Sequence, residues 1–205
     1  MADSVGSVGV FKVKSLIAAA VLGLSLTGAA SAAVVLQDDF NYGSADALDV
    51  GVNFFAPNWT AGSTLDYIAT DFYGDLCRDT DGCVDLDGST NSSGLLSSVL
   101  IFAAGTYELA FELFGNNRGW SDDAVTITLG SFATTIFNIA SGDDVSNTLT
   151  FTTTGGALTF QNAGGDNVGA VLSSVTLSAI PLPAGGLLLL GALGGIAALR
   201  RRKAA

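Results

Sequence analysis

The segment 106–114 reads Thr-Tyr-Glu-Leu-Ala-Phe-Glu-Leu-Phe, in which apolar and polar side chains alternate. Successive side chains of an extended chain point to opposite faces of a sheet, so this alternation predicts a β-strand with one buried and one solvated face. The face expected in the core carries Tyr107, Leu109, Phe111 and Leu113.

The same period of two recurs between residues 33 and 180, where turns rich in Gly, Asn and Asp separate the segments. Nine further strands are predicted, over 34–40, 65–68, 83–86, 95–102, 124–129, 132–139, 147–153, 157–161 and 168–178. Because no segment has helical periodicity and no repeat is visible, we expect an all-β domain, an antiparallel β-sandwich. Within that class we expect a jelly roll.

Charge and composition exclude several functions. The chain has 205 residues, no histidine and a formal net charge of -11. Without histidine, Ser-His-Asp, Cys-His and zinc-hydrolase chemistry are excluded. Residues 33–180 contain 18 acidic side chains and only two basic ones, Arg78 and Arg118. Such an acidic body is unsuited to nucleic acid, and cations are the expected ionic partners.

Residues 1–32 are predicted to be a secretory signal peptide. Two lysines precede an apolar run over 16–26, and Ala30 and Ala32 supply an A-x-A cleavage site. The run has no polar face, which distinguishes it from an amphipathic core helix. We expect export through the secretion translocon and cleavage after Ala32.

Residues 180–199 are predicted to be a transmembrane helix. These residues are almost entirely apolar, and four basic residues follow them. A helix of this length spans about 30 Å of hydrocarbon, and the positive-inside rule puts the basic end in the cytoplasm. The precursor is therefore expected to be anchored in the membrane with its acidic body outside.

This tail resembles a PEP-CTERM sorting signal of the VPLPA subclass, found in exopolysaccharide-producing Gram-negative bacteria, with Ile180 in place of the usual Val. The resemblance covers residues 180–205 and implies cleavage by an exosortase, a membrane protease, and transfer from the inner membrane to the cell surface or extracellular matrix. The matching residues are Pro181, Leu182, Pro183, Ala184, Arg200, Arg201 and Arg202.

The body, residues 33–179, also resembles a group of secreted bacterial β-sandwiches. The segments that carry this resemblance are 84–89, 111–119 and 165–172. These sandwiches are similar to galactose-binding-like and carbohydrate-binding jelly rolls, and they usually carry PEP-CTERM tails. Their last strand often has acidic residues where this chain has Ser173 and Ser174.

Cys77 and Cys83 are separated by five residues. In an exported protein this spacing predicts a disulfide that holds a surface loop, with a stabilisation of about 2–3 kcal/mol on the chain-entropy model. A redox-active pair is the alternative, although the spacing is wider than C-x-x-C and no thioredoxin-like βαβ pattern surrounds it.

Four carboxylates recur at even offsets around this pair, so an extended chain would point them to one side. Calcium accepts carboxylate, amide and carbonyl oxygens, although the spacing is not that of an EF-hand. Calcium is thus a candidate cofactor, and a solvated acidic loop is the alternative. The candidate ligands are Asp79, Asp81, Asp85 and Asp87, with Asp38, Asp39 and Asp166 as secondary candidates.

One loop combines an aromatic ring with planar hydrogen-bonding groups, which suits a sugar. The candidate ligand-binding residues are Asn116, Asn117, Arg118 and Trp120. In the alternative interpretation Arg118 pairs with Asp122 or Asp123, and Trp59 and Tyr67 fill the core. Phe72 and Tyr73 also lie outside the strong strand patterns.

The sequence predicts an exported, non-catalytic protein of the cell surface or matrix with a structural or adhesive role. A carbohydrate-binding module for exopolysaccharide, ordered by calcium, is the alternative. A small glycan-acting enzyme is the third interpretation. It would need two carboxylates roughly 5–10 Å apart in a cleft, and no catalytic residue is assigned.

Overall fold

A computed structural model describes residues 31–43, 46–50, 54–62, 65–69, 76–78, 81–89, 93–119 and 122–181. They belong to one compact unit, Ser31–Pro181. The predicted signal peptide, apart from its last two residues, and the sorting signal after Pro181 lie outside the described residues. The part of the chain that the structure describes has no helix long and apolar enough to cross a membrane.

Twelve strands are found within the described ranges. They are β1 (Ala33–Asp38), β2 (Ala47–Val50), β3 (Trp59–Ala61), β4 (Leu65–Ala69), β5 (Gly82–Asp85), β6 (Leu95–Ser98), β7 (Gly105–Phe114), β8 (Asp123–Leu129), β9 (Phe132–Ile139), β10 (Asn147–Thr153), β11 (Leu158–Asn162) and β12 (Val171–Ile180).

The strands form two sheets in which all the recorded pairings are antiparallel. The seven-stranded sheet has the order β10-β7-β12-β5-β4-β2, and β1 also pairs with β12. The five-stranded sheet has the order β3-β6-β11-β8-β9. The prediction of an all-β, antiparallel fold is confirmed.

The core lies between the two sheets. On β7 the four predicted inward side chains are buried, whereas Glu108 and Glu112 are exposed. Val125, Ile127 and Leu129 of the other sheet belong to the same hydrophobic cluster. The two sheets therefore bury one shared core, as the layers of a β-sandwich do.

An aromatic group surrounds the buried carboxylate of Asp38. Its Oδ2 accepts hydrogen bonds from the Tyr42 hydroxyl, Asn58 Nδ2 and Trp59 Nε1, and its Oδ1 accepts one from the Phe40 amide. Trp59 and Tyr67 are fully buried, so they fill the core as the alternative interpretation expected. The donors around Asp38 compensate the cost of burying its charge.

Several predicted strand boundaries are wrong. The short strands β2 and β3 were not predicted at all. The strand expected over 95–102 ends at Ser98, because the chain bends at Val99 and Leu100. After that bend, Ile101 is 73% exposed and Phe102 forms only an isolated bridge to Gly156. An apolar run was thus mistaken for a continuous buried strand.

The last strand is shifted toward the C-terminus. It begins at Val171 rather than at residue 168, and it continues to Ile180, which pairs with Thr106. The preceding loop approaches another loop closely, since a Cβ on Gly169 would lie 2.5 Å from the Asp87 amide nitrogen. Glycine at this position therefore lets the loops of β5 and β12 pack together.

Candidate functional site

The loops at one end of the protein are joined by a buried ion pair. Asp85 lies at the end of β5, and its Oδ2 is 2.6 Å from Arg118 Nη2 and 3.0 Å from Asn116 Nδ2. Its Oδ1 accepts hydrogen bonds from the backbone amides of Asp87 and Gly169. These contacts hold the loops after β5, β7 and β11 against each other.

This arrangement uses much of the hydrogen-bonding capacity of the predicted sugar-binding loop. Asn116 is buried, and its Oδ1 accepts hydrogen bonds from the Arg118 backbone and side chain. Arg118 thus pairs with Asp85 rather than with Asp122 or Asp123. Asn117 is exposed, and Trp120 lies outside the described residues. A ligand-binding role for this loop stays a prediction.

Burial controls the acidity of Asp85. Desolvation raises its pKa to about 7, although the Asp87 amide, Arg118 and the Gly169 amide all favour the charged form. The pKa of Asp123 is raised to about 6, again chiefly by burial. The end of the protein therefore contains carboxyl groups that change charge near neutral pH.

Of the four predicted calcium ligands, the three that the structure describes do not form one cluster. Asp81 is exposed before β5 and accepts a hydrogen bond from Asn41, whereas Asp85 and Asp87 are buried at the other end of that strand. Asp79 lies outside the described residues. Among the described residues, no group of three or more Asp, Glu or Cys side chains is arranged to hold a metal ion. Calcium binding by the predicted set stays a prediction.

The predicted disulfide between Cys77 and Cys83 is confirmed. Both cysteines are buried, and they pack with Ile68, Leu76 and Val171 in a small cluster separate from the main core. The disulfide therefore holds a loop, as expected, but it does so from a buried position.

Hydroxyl groups cover the outer face of the five-stranded sheet, which we call the hydroxyl face. Two rows of paired residues cross it. The first row consists of Thr60, Ser97, Thr159, Thr128 and Ala133. The second row consists of Leu95, Gln161, Thr126 and Thr135. Thr128 and Thr159 are hydrogen-bonded at 2.6 Å, and Thr126 and Thr135 at 3.0 Å. No side chain of these two rows is charged.

Phe137 borders a groove of about 310 Å³ on this face. Its ring is 69% exposed, whereas Phe132 on the same strand stacks on Phe151 at a centroid distance of 3.8 Å. Phe137 and Asn138 lie within a β-bulge, because Ile136 pairs with Val125 and Ile139 pairs with Asp123, and Asn138 has a φ of 55°. The groove is lined by Ser93, Ala124, Thr126, Thr135, Phe137, Gln161, Asn162 and Ala163.

A second depression, with a larger volume, lies on the outer face of the seven-stranded sheet. It has a volume of about 570 Å³ and is centred on Glu112, whose Oε2 accepts hydrogen bonds from the hydroxyls of Ser173 and Ser174. The only aromatic residue that lines it, Phe111, has its side chain in the core. This depression therefore offers no exposed ring on which a ligand could pack.

No family model matches the chain, and no curated protein matches it. Many solved structures show a distant similarity to this chain, as three examples illustrate. The CBM22-1–GH10 modules of xylanase 10B from Clostridium thermocellum are 13% identical, with 73% of this chain and 29% of that chain covered and a TM-score of 0.43. This chain thus spans less than a third of that relative.

The K3 cleaved adhesin domain of Lys-gingipain from Porphyromonas gingivalis is 16% identical, with 72% of this chain and 100% of that domain covered and a TM-score of 0.45. The CBM22-1 xylan-binding domain of Xyn10C from Paenibacillus barcinonensis is 14% identical, with 76% and 99% covered and a TM-score of 0.41.

Phe137 and Gln161 were missed as site residues by the sequence analysis. Both lie in correctly predicted strand regions, where alternation assigns one face to the core and the other to solvent. The signal that was available is the polar composition of that solvent face, which is rich in threonine on β8, β9 and β11. A large exposed aromatic residue amid such a face makes the groove a candidate binding site.

Proposed function

We propose that the protein is a non-catalytic carbohydrate-binding module that holds a neutral glycan in the groove beside Phe137. The observation that carries this proposal is the exposed Phe137 ring at the border of a hydroxyl-lined groove. A sugar ring has an apolar CH face and a polar edge of hydroxyls. It therefore needs one flat apolar surface and several donors and acceptors around it.

The polar groups beside the ring suit the edge of a sugar. The hydroxyl groups of Thr126 and Thr135 form one hydrogen bond with each other, in which one of them is the donor. The hydrogen of the other hydroxyl and several lone pairs therefore remain for a ligand. The exposed amide of Gln161 supplies a planar donor and acceptor in the same groove. Together these groups could orient a ligand that packs on Phe137.

Charge favours a neutral glycan. Residues 33–180 carry 18 acidic and two basic side chains, and this excess of negative charge repels acidic polysaccharides at long range. The two residue rows of the hydroxyl face carry no charge, so this face has no side chain to pair with a carboxylate or sulfate. Neutral polysaccharide, such as an exopolysaccharide without acidic sugars, is the expected ligand class.

We also propose that the two sheets form a jelly roll and that the protein is exported. An exosortase would then sort it through its PEP-CTERM-like tail and deliver it to the cell surface or matrix of a Gram-negative bacterium. The basis for export and sorting is the sequence of residues 1–32 and 180–205. In such a setting a glycan-binding groove would attach the protein to extracellular polysaccharide, which also accounts for an adhesive role.

An array of neutral and acidic polysaccharides, including the cell's own exopolysaccharide, tests the proposal. The wild-type protein should retain one or more neutral glycans. Loss of the apolar contact in Phe137→Ala should weaken binding roughly 10- to 100-fold, because burying a phenylalanine contributes about 1.5–3 kcal/mol.

The matched control is Ile101→Ala, which removes another large exposed apolar side chain from the loop between β6 and β7. It should bind like the wild type. Equal binding by Phe137→Ala, or no retention of any glycan by the wild type, would overturn the proposal. The second result would favour a purely structural role.

A further inference from the structure

Two buried side-chain oxygen atoms near the groove have no hydrogen-bond partner among the residues that the structure describes. They are Asp87 Oδ1 and Asn162 Oδ1, and their residues are 0% and 1% exposed. A buried acceptor without a donor costs about 1–3 kcal/mol, and more when it is charged. Two such atoms in one region indicate that something other than the protein interacts with them.

The orientation of the Asn162 amide is determined by its neighbour. Asn162 Nδ2 donates to Asp123 Oδ1 at 3.1 Å. An ionised carboxylate only accepts hydrogen bonds, so the amide nitrogen and not the amide oxygen must face Asp123. Asn162 Oδ1 is therefore directed away from Asp123 and still requires a positively charged or donating partner.

The two oxygens belong to adjacent segments of backbone. The Gly94 amide donates to the Leu86 carbonyl, and the Asn162 amide donates to the Gly94 carbonyl. Asp87 follows Leu86 directly, so Asp87 and Asn162 lie on the two segments that flank Gly94. An ion bound by both oxygens would lie about 2.3–2.6 Å from each of them.

Negative charge surrounds this position. Asp166 donates its backbone amide to Asp87 Oδ2 at 3.5 Å, and its own carboxylate interacts electrostatically with those of Asp87 and Asp123. Burial raises the pKa of both Asp87 and Asp123. The backbone amides of residues 165–167 lower that of Asp87 and the Asn162 amide lowers that of Asp123, whereas the neighbouring carboxylates raise both pKa values. A bound cation would relieve this repulsion.

We propose that one calcium ion binds between Asp87 and Asn162, with Asp87 Oδ1 and Asn162 Oδ1 as ligands and the Asp123 and Asp166 carboxylates as nearby negative charge. Calcium accepts carboxylate, amide and carbonyl oxygens in irregular geometry, whereas Mg²⁺ demands a near-octahedral set. The site differs from the ligand set expected from sequence, because its residues come from the loop after β5, the start of β8, and the end of β11 with the loop that follows it. It does not depend on glycan binding.

The site has a consequence for the groove. Asn162 and Ala163 also line the groove beside Phe137. An ion on Asn162 Oδ1 would hold the end of β11 against the loop that contains Asp87, and so would stiffen one wall of the groove.

Calcium binding is tested by isothermal titration of the EGTA-treated, dialysed protein at pH 7.5, together with chemical unfolding in calcium and in EGTA. One equivalent should bind, with a Kd in the range of about 10⁻⁴–10⁻³ M that is common in extracellular modules. At a concentration 100 times the Kd, the ratio of folded to unfolded protein should rise about 100-fold. Mg²⁺ should bind more weakly.

The variant Asp87→Asn keeps the shape of the side chain and removes its charge, and it should lose calcium binding and the stabilisation by calcium. Glu108→Gln removes an exposed carboxylate on the outer face of β7 and is the matched control. If Asp87→Asn folds poorly, Asn162→Ala supplies the second test and should weaken calcium binding at least 10-fold.

Three results would overturn the proposal. One is the absence of heat and of stabilisation up to about 10 mM calcium, ten times the weakest Kd expected. Another is unchanged affinity in both Asp87→Asn and Asn162→Ala. The third is equal loss of affinity in Glu108→Gln, which would mean that calcium only screens surface charge. None of these results bears on glycan binding, which the array measures separately.

Discussion

Replacing Arg118 by leucine distinguishes a structural role from a ligand-binding role for the loop after β7. Arg118 Nη2 is 2.6 Å from Asp85 Oδ2, and the Asp85 side chain is 1% exposed while that of Arg118 is 21% exposed. In Arg118→Leu, Asp85 keeps the hydrogen bonds from Asn116 and the two backbone amides, but it loses Arg118, its one ion-pair partner among the described residues.

The expected cost follows from burial. Removal of one partner of a buried ion pair costs about 3–5 kcal/mol, because the remaining charge stays desolvated. Arg118 is partly exposed and three other donors remain, so at pH 8, toward which Asp85 becomes ionised, we expect the lower value, about 3 kcal/mol. With a urea m-value of about 2 kcal/mol/M, the midpoint of unfolding should fall by about 1.5 M.

The pH dependence gives this prediction its sharpest form. The pKa of Asp85 is already raised by burial, and loss of Arg118 should raise it further. A carboxyl group whose pKa is higher in the folded state stabilises the fold below its unfolded pKa and loses this contribution as the pH rises. The deficit of Arg118→Leu should therefore be small near pH 4 and should grow toward pH 8.

Urea unfolding of wild type and Arg118→Leu at several pH values, followed by circular dichroism, measures this difference. Asp85→Asn combined with Arg118→Leu should recover part of the loss, because the uncompensated charge is gone. A deficit below about 1 kcal/mol, or one that does not change between pH 4 and 8, would refute the reasoning. If Arg118→Leu lost glycan binding and kept the wild-type stability, Arg118 would be a ligand-binding residue and not a structural one.

Two further predictions concern the whole protein. In EGTA, the wild-type free energy of unfolding should fall as the pH rises from about 4 through 7, since burial raises the pKa of Asp85 to about 7 and that of Asp123 to about 6. A free energy of unfolding that increases over this pH range would contradict the prediction. Replacing Cys77 and Cys83 together by alanine should cost about 2 kcal/mol on the loop-entropy model, measured by urea unfolding. No change in the midpoint would show that the short loop is equally restricted without the bond.

Features that depend on neighbouring residues were predictable from the sequence. The alternation over 106–114 correctly separates the buried Leu109 and Phe111 from the exposed Glu108 and Glu112, because a strand forces successive side chains to opposite faces. The cysteine pairing was predictable for a similar reason, since only two cysteines are present and they lie close together.

Features that depend on distant residues were not predictable. The partner of Arg118 lies 33 residues away at the end of β5, whereas the sequence favoured the nearby Asp122 or Asp123. The exposure of Phe137 likewise depends on a bulge and on which face of an edge strand meets the core. The unpartnered oxygens of Asp87 and Asn162 arise only when loops far apart in the chain come together.

The central claim is that the groove beside Phe137 binds a neutral glycan, and an NMR titration tests it most directly. Backbone amide shifts of the ¹⁵N-labelled protein should change at Thr126, Thr135, Phe137 and Gln161, which line the groove, when a neutral oligosaccharide retained on the array is added. Residues around Glu112 on the opposite sheet should not respond. Shifts confined to the Glu112 depression, or no shifts at saturating oligosaccharide, would contradict the account.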